Sequence, residues 1–155
     1  MARPAERRVV ASLFDRLTDY DPLNSREVLP PASDQLRMHK DSVARDLTNL
    51  LNTRRSEGDI PEEFAQTRES LAAYGIEDFT TAPMDKEGIR RAVERSIRLF
   101  EPRLSRVQVA LVESGDFAFS FRISGMLRVE VGLEPVAYDA ELPKESRRFK
   151  VMPGR

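Results

Sequence analysis

The stretch Ile97-Arg98-Leu99-Phe100-Glu101-Pro102-Arg103-Leu104 joins a helical pattern to a strand pattern. Upstream of it, Ile89, Val93, Ile97 and Phe100 recur at the spacing of one helix face. Downstream, Val107, Val109 and Leu111 alternate with Arg106, Gln108 and Ala110, the period of a strand. Proline disfavours helical geometry at the residue before it, so the helix is expected to end near Phe100 with Glu101 extended. The fixed φ of Pro102 then holds Glu101 and Arg103 in a stiff bend. Two opposite charges on such a bend lose little freedom on docking, which suits a specific polar contact with another chain.

Towards the N-terminus the pattern is helical. Residues 1–7 read as a flexible arm. Val9, Val10, Leu13, Phe14 and Leu17 predict a first helix over residues 8–17, which Asp19-Tyr20-Asp21-Pro22 stops. A linker runs to Pro30-Pro31. Ser33 or Asp34 is expected to cap the next helix, whose inner face is Leu36, Lys40, Val43, Leu47, Leu50 and Leu51, ending near Thr53. A further helix is predicted over residues 62–74, with Phe64, Leu71 and Ala72 inward and Gly75 as its left-handed stop. Asp85 caps the last helix.

Beyond the corner, polar turns punctuate short alternating runs. Glu113-Ser114-Gly115-Asp116 and Ser124-Gly125 read as turns on either side of a Phe117, Phe119, Phe121, Ile123 strand. Leu127, Val129 and Val131 make the next strand, Val136 and Tyr138 a fourth, and residues 149–151 a short fifth. The expected fold is α+β: N-terminal helices packed on a C-terminal antiparallel β-meander of four to five strands. The whole chain, 1–155, reads as a single domain, mainly helical over 8–100 and an antiparallel sheet over 104–151.

Composition bounds the function classes. There are no cysteines, which excludes disulfides and thiolate metal sites. No run approaches the ~20 apolar residues of a membrane span, and no signal-peptide core follows the basic start, so a cytoplasmic protein without direct membrane insertion is expected. Charge is blocky: residues 55–87 carry nine acidic and three basic side chains, and residues 88–106 six arginines and two glutamates. Alternating blocks argue against nucleic acid, which selects one dominant basic face. The arginines of the last helix, interspersed with Glu94, read as a solvated face or a contact for an acidic chain. His39, the lone histidine, reads as a surface residue without metal or triad partners.

Four pieces of the sequence resemble the family of TssE, a baseplate subunit of bacterial type VI secretion systems. A wedge subunit of contractile phage tails, once labelled an acidic lysozyme, belongs to the same wider family. The pieces are Ser12-Leu13-Phe14-Asp15-Arg16-Leu17, the long run from Ser42-Val43-Ala44-Arg45-Asp46 to Leu51-Asn52-Thr53-Arg54, Ser70-Leu71 with Tyr74-Gly75, and Phe100-Glu101-Pro102-Arg103-Leu104. The family often continues Tyr-Gly with Leu-Pro, where this chain has Ile76-Glu77. The resemblance implies a structural, non-enzymatic subunit of the contractile-tail baseplate, with no cofactor. It implies that Glu101, Pro102 and Arg103 dock onto the wedge proteins TssF and TssG. It also implies that the sheet edge accepts a strand from the sheath proteins TssB and TssC, starting sheath assembly on a membrane-docked apparatus.

The old lysozyme label keeps a carboxylate-dependent glycoside hydrolase as the alternative. That chemistry needs two carboxyl groups about 5–5.5 Å or about 6.5–9.5 Å apart. Glu113, Asp116, Glu130, Glu134 and Asp139 are the candidates, and turn chemistry or outward strand positions account for them. For Glu101 and Arg103 the competing reading is an internal salt bridge that fixes the corner.

Overall fold

The structure is a computed structural model that describes residue 17 and residues 31–55, 62–68, 70–77, 85–112, 118–129 and 132–154. Two helices, α1 (Ala32–Asn52) and α2 (Lys86–Phe100), precede four strands: β1 (Leu104–Val112), β2 (Ala118–Val129), β3 (Gly132–Pro143) and β4 (Lys150–Pro153). The strands form one antiparallel sheet in the order β1-β2-β3-β4. The α+β meander expected from the sequence is therefore what forms. The helix expected over residues 8–17, like the arm before it, lies outside the described residues except for Leu17, which is helical and exposed.

Both helices bury an apolar stripe against one face of the sheet. Val43, Leu47, Leu50 and Leu51 of α1 and Ile89, Val93 and Ile97 of α2 join Val107, Val109, Phe119, Phe121, Ile123, Leu127, Tyr138 and Ala140 in one cluster. Each fully buried aliphatic contributes about 1.5–3 kcal/mol. The start of α1 differs from expectation. Pro31 is its N-cap and makes no side-chain cap hydrogen bond; its carbonyl accepts from the amides of Asp34 and Gln35. His39 is buried rather than on the surface. Positions 36, 39 and 43 follow helical spacing, so the histidine lies on the stripe ahead of Val43, where Lys40 was expected.

The predicted helix over residues 62–74 is broken into single turns, Glu62–Phe64, Ala65–Arg68 and Leu71–Ala73. Phe64 is 52 % and Leu71 84 % exposed, and Ala73 rather than Ala72 faces inward. Ser70 breaks the run: its hydroxyl donates to the Thr67 carbonyl and accepts from the Ala72 amide. A serine that bonds its own backbone offers the chain an alternative to the helix. Gly75 then has φ +112° and carries the chain into a parallel bridge between Arg54 and Ile76. The last helix forms as read. The Asp85 carboxylate accepts from the amides of Glu87 and Gly88 at its start.

Ser124-Gly125 is not a turn. It lies inside β2, which pairs with β3 without interruption from Ala118↔Pro143 to Val129↔Gly132. Two expected strands are thus one of 12 residues. The glycine has a different reason to be there. β1 carries an extra residue between Ser105 and Gln108, a bulge with Arg106 at φ 52°. Gly125 lies beside the bulge, and a Cβ on it would come within 3.1 Å of the Ser105 carbonyl oxygen. The bulge also turns Leu104 and Val107, three residues apart, to the same buried face. Leu111, expected inward, is exposed along with Val112, at the far end of β1.

The C-terminal strand is tied to α1. The Asn52 amide donates to the Phe149 carbonyl and accepts from the Phe149 N–H, both at 2.8 Å. The Val151 amide donates to the Thr48 hydroxyl at 3.3 Å. The side chain of Asn52 thereby gives Phe149, the residue leading into β4, the two bonds that a neighbouring strand would give.

Candidate functional site

Glu101, Pro102 and Arg103 form the link between α2 and β1. The Glu101 amide closes the helix on the Ile97 carbonyl at 2.9 Å, and its φ of −118° takes the chain out of helical geometry, as a following proline demands. The Glu101 carbonyl accepts from the Leu104 amide at 3.1 Å, and the Arg103 carbonyl from the Arg128 amide at 2.8 Å. Every turn of this corner is therefore pinned to a regular element.

The two charges face each other. Arg103 Nε donates to Glu101 Oε1 at 2.7 Å and Nη2 to Oε2 at 2.5 Å, a bidentate pair. The Arg103 amide adds a bond to Oε1 at 3.1 Å. The guanidinium also reaches α1, where Nη2 meets Asp46 Oδ2 at 2.6 Å and Nη1 meets the Ser42 hydroxyl at 3.3 Å. Arg45 completes the group, 3.7 Å from Asp46 and bonded to the same Ser42 hydroxyl. Two carboxylates thus meet two guanidiniums.

Burial sets the role of each residue. The Glu101 side chain is 5 % exposed and that of Arg103 21 %, whereas Pro102 is exposed at the tip. Burial works against the Arg103 charge, but the hydrogen bonds and charges of Glu101 and then Asp46 outweigh it and hold the guanidinium above the usual arginine range. Tyr138 lies beneath the corner, and burial followed by the charge of Glu101 raises its pKa. Its buried hydroxyl has no hydrogen-bond partner among the described residues. Tyr74 is raised in the same way by burial, Asp46 and Glu101. Its ring meets Phe100 edge-on at 5.4 Å.

Sequence reasoning named the three corner residues but not Asp46, Ser42 and Tyr138. Ser42 and Asp46 stand one helical turn apart beside the apolar stripe of α1, which was the only signal. Of the carboxylates considered for hydrolysis, the two described ones, Glu134 and Asp139, lie on β3 and take no part in this cluster. Glu113, Asp116 and Glu130 lie outside the described residues. Asp139 is paired with Arg122 at 2.9 Å on the sheet face away from the helices. No group of three His, Asp or Glu side chains is disposed to hold a metal ion among the described residues. No helix among them is long and apolar enough to cross a membrane.

Fold and corner together define a small α+β structural module built on an ion-braced joint between helix and sheet. The family model described as baseplate wedge protein gp25 matches residues 37–131, from α1 through the corner to the end of β2, and the chain belongs to that family, which is also the family of TssE. Membership assigns it a structural role in a baseplate and implies contact with other baseplate components. The comparisons with curated proteins and with solved structures returned no match.

Proposed function

We propose that this chain is a non-catalytic subunit of a type VI secretion baseplate wedge, working in the cytoplasm at the membrane-docked apparatus. It joins the wedge proteins TssF and TssG through its Glu101-Pro102-Arg103 corner and starts the sheath of TssB and TssC at its sheet edge. One observation carries this reading beyond family membership: the corner is rigid and its apex, Pro102, is exposed. Glu101 acts from within, as the brace that fixes Arg103, while Pro102 and the outer edge of Arg103 offer the contact. Preorganisation of this kind lowers the entropy lost on docking.

The test uses Pro102→Asp, because an exposed apex tolerates substitution. Loss of the ring constraint should cost the variant no more than about 1 kcal/mol; it should stay folded and lose co-purification with TssF and TssG. Undiminished co-purification by a folded Pro102→Asp protein would remove the corner from the interface. Turnover of purified peptidoglycan by the unmodified protein would replace the structural reading with the hydrolase one.

A further inference from the structure

The outward edge of β1 is covered by side chains from α2. Arg90, Glu94 and Arg98 stand four residues apart and form one ridge along the helix. Arg98 Nη2 donates to the Val107 carbonyl at 2.9 Å and Arg90 Nη1 to the Val109 carbonyl at 3.1 Å. The Val109 amide donates to Glu94 Oε2 at 3.4 Å. Glu94 pairs with both arginines, with Arg90 at 2.7 Å. Arg90 and Arg98, read from the sequence as part of a solvated face or a contact for an acidic chain, fill the positions of a missing neighbour strand in the free protein.

The guard is partial. Residues 107 and 109 point their backbone groups away from β2, and the unbroken register from Gln108 to Val112 puts those of Leu111 on the same side. Leu111 and Val112 are 40 % and 42 % exposed, so beyond its guard the edge is apolar, with the Leu111 backbone not engaged by a side chain of the described residues. The opposite edge differs. β4 has only 4 residues, ends in Pro153 and is clasped by Asn52 and Thr48 through uncharged bonds. Arg91, Arg95, Arg98 and Arg106 are exposed on the helix and bulge that flank β1, and Lys144, Arg147, Arg148 and Lys150 are exposed beside β4. Charge therefore suits an acidic segment at either edge, and it is strand length and the β4 clasp that favour β1.

We infer that β1 is the strand-accepting edge, that an acidic extended segment of a partner is its occupant, and that the Arg90-Glu94-Arg98 ridge is a guard exchanged during docking. The incoming strand starts at Leu111 and displaces the guard towards Val107. Its carboxylates take over the arginines that leave the backbone. In the free protein the same ridge keeps the edge from pairing indiscriminately, the hazard of any long exposed strand. This rests on the sheet edge being a strand acceptor, and it names the edge, its partner chemistry and its control.

The test adds an alternating Thr-Glu octapeptide to the full chain, with a Thr-Lys octapeptide as comparison, and follows backbone amide resonances. The Thr-Glu peptide should shift Val107, Val109 and Leu111, leave Phe149 and Val151 in place, and bind at least about tenfold more tightly than Thr-Lys. Arg90→Ala with Arg98→Ala should abolish that preference. Leu111→Pro, which removes only an outward N–H, should abolish binding in a chain that still folds. Shifts at β4, equal binding of the two peptides, no shift at β1, or a β1-to-β1 dimer in place of binding would each overturn the inference. Loss of TssF and TssG contact by Pro102→Asp is read separately, so the edge and the corner fail independently.

Discussion

A Cβ on Gly75 would lie 2.3 Å from the carbonyl oxygen of Thr53. The close approach exists because that carbonyl accepts from the Ile76 amide at 2.9 Å while the Arg55 amide donates back to Ile76 at 2.8 Å. Ser96 of α2 adds a third tie, donating to the Gly75 carbonyl at 3.0 Å. Gly75→Ala combines a backbone clash with a φ of +112° that side chains resist. It should lower stability by about 2 kcal/mol or more, read as a fall in urea midpoint with unchanged slope.

The corner predicts an order of effects. Arg103→Ala strands the buried Glu101 carboxylate and should cost about 3–5 kcal/mol. Asp46→Ala removes the more exposed partner and should cost about 1 kcal/mol. Urea unfolding of the two variants checks the order; equal costs would mean that Glu101 does not depend on Arg103.

Tyr138 predicts the alkaline behaviour. Its native pKa is raised above the ordinary tyrosine value of about 10 by burial and the nearby Glu101 charge. Below that value both states keep the proton and stability is unaffected. As pH rises beyond it, the unfolded chain ionises first, so stability falls by up to about 1.4 kcal/mol per pH unit until the native tyrosine ionises too. Tyr138→Phe should flatten this decline between the parent and variant curves. At pH 7 it should leave stability equal or slightly higher, since it deletes a buried hydroxyl without a partner.

The bulge in β1 places Arg106 at φ 52°, where a side chain is unfavourable. Arg106→Gly should raise stability by a few tenths to about 1 kcal/mol, measured by thermal unfolding. A loss instead would show that the arginine side chain itself holds the bulge.

The parts of this fold that were legible from sequence are those in which one local rule decides. Asp85 caps α2, proline ends it at Phe100, and the Phe119, Phe121, Ile123 stripe is buried. The misread parts depend on partners far along the chain. Gly125 reads as a turn until the bulge beside it is known, because close backbone approach leaves no local signature. His39 reads as surface because its neighbours are Met38 and Lys40, although the stripe of α1 runs through its own position. Arg90 and Arg98 read as a solvated face or a contact for an acidic chain, and their bonds to β1 escaped notice because a strand edge that needs donors is invisible in the helix that supplies them. At the site, Glu101 and Arg103 announce themselves across a proline, whereas Asp46 meets Arg103 from 57 positions away.

The clasp between Asn52 and Phe149 spans 97 positions. Contacts so distant in sequence close late, because the intervening chain must first be ordered. On the ribosome, where synthesis proceeds from the N-terminus, α1 waits for residue 149 to emerge before its last turn gains this partner. A half-made chain therefore has neither a finished sheet nor a secured end to α1.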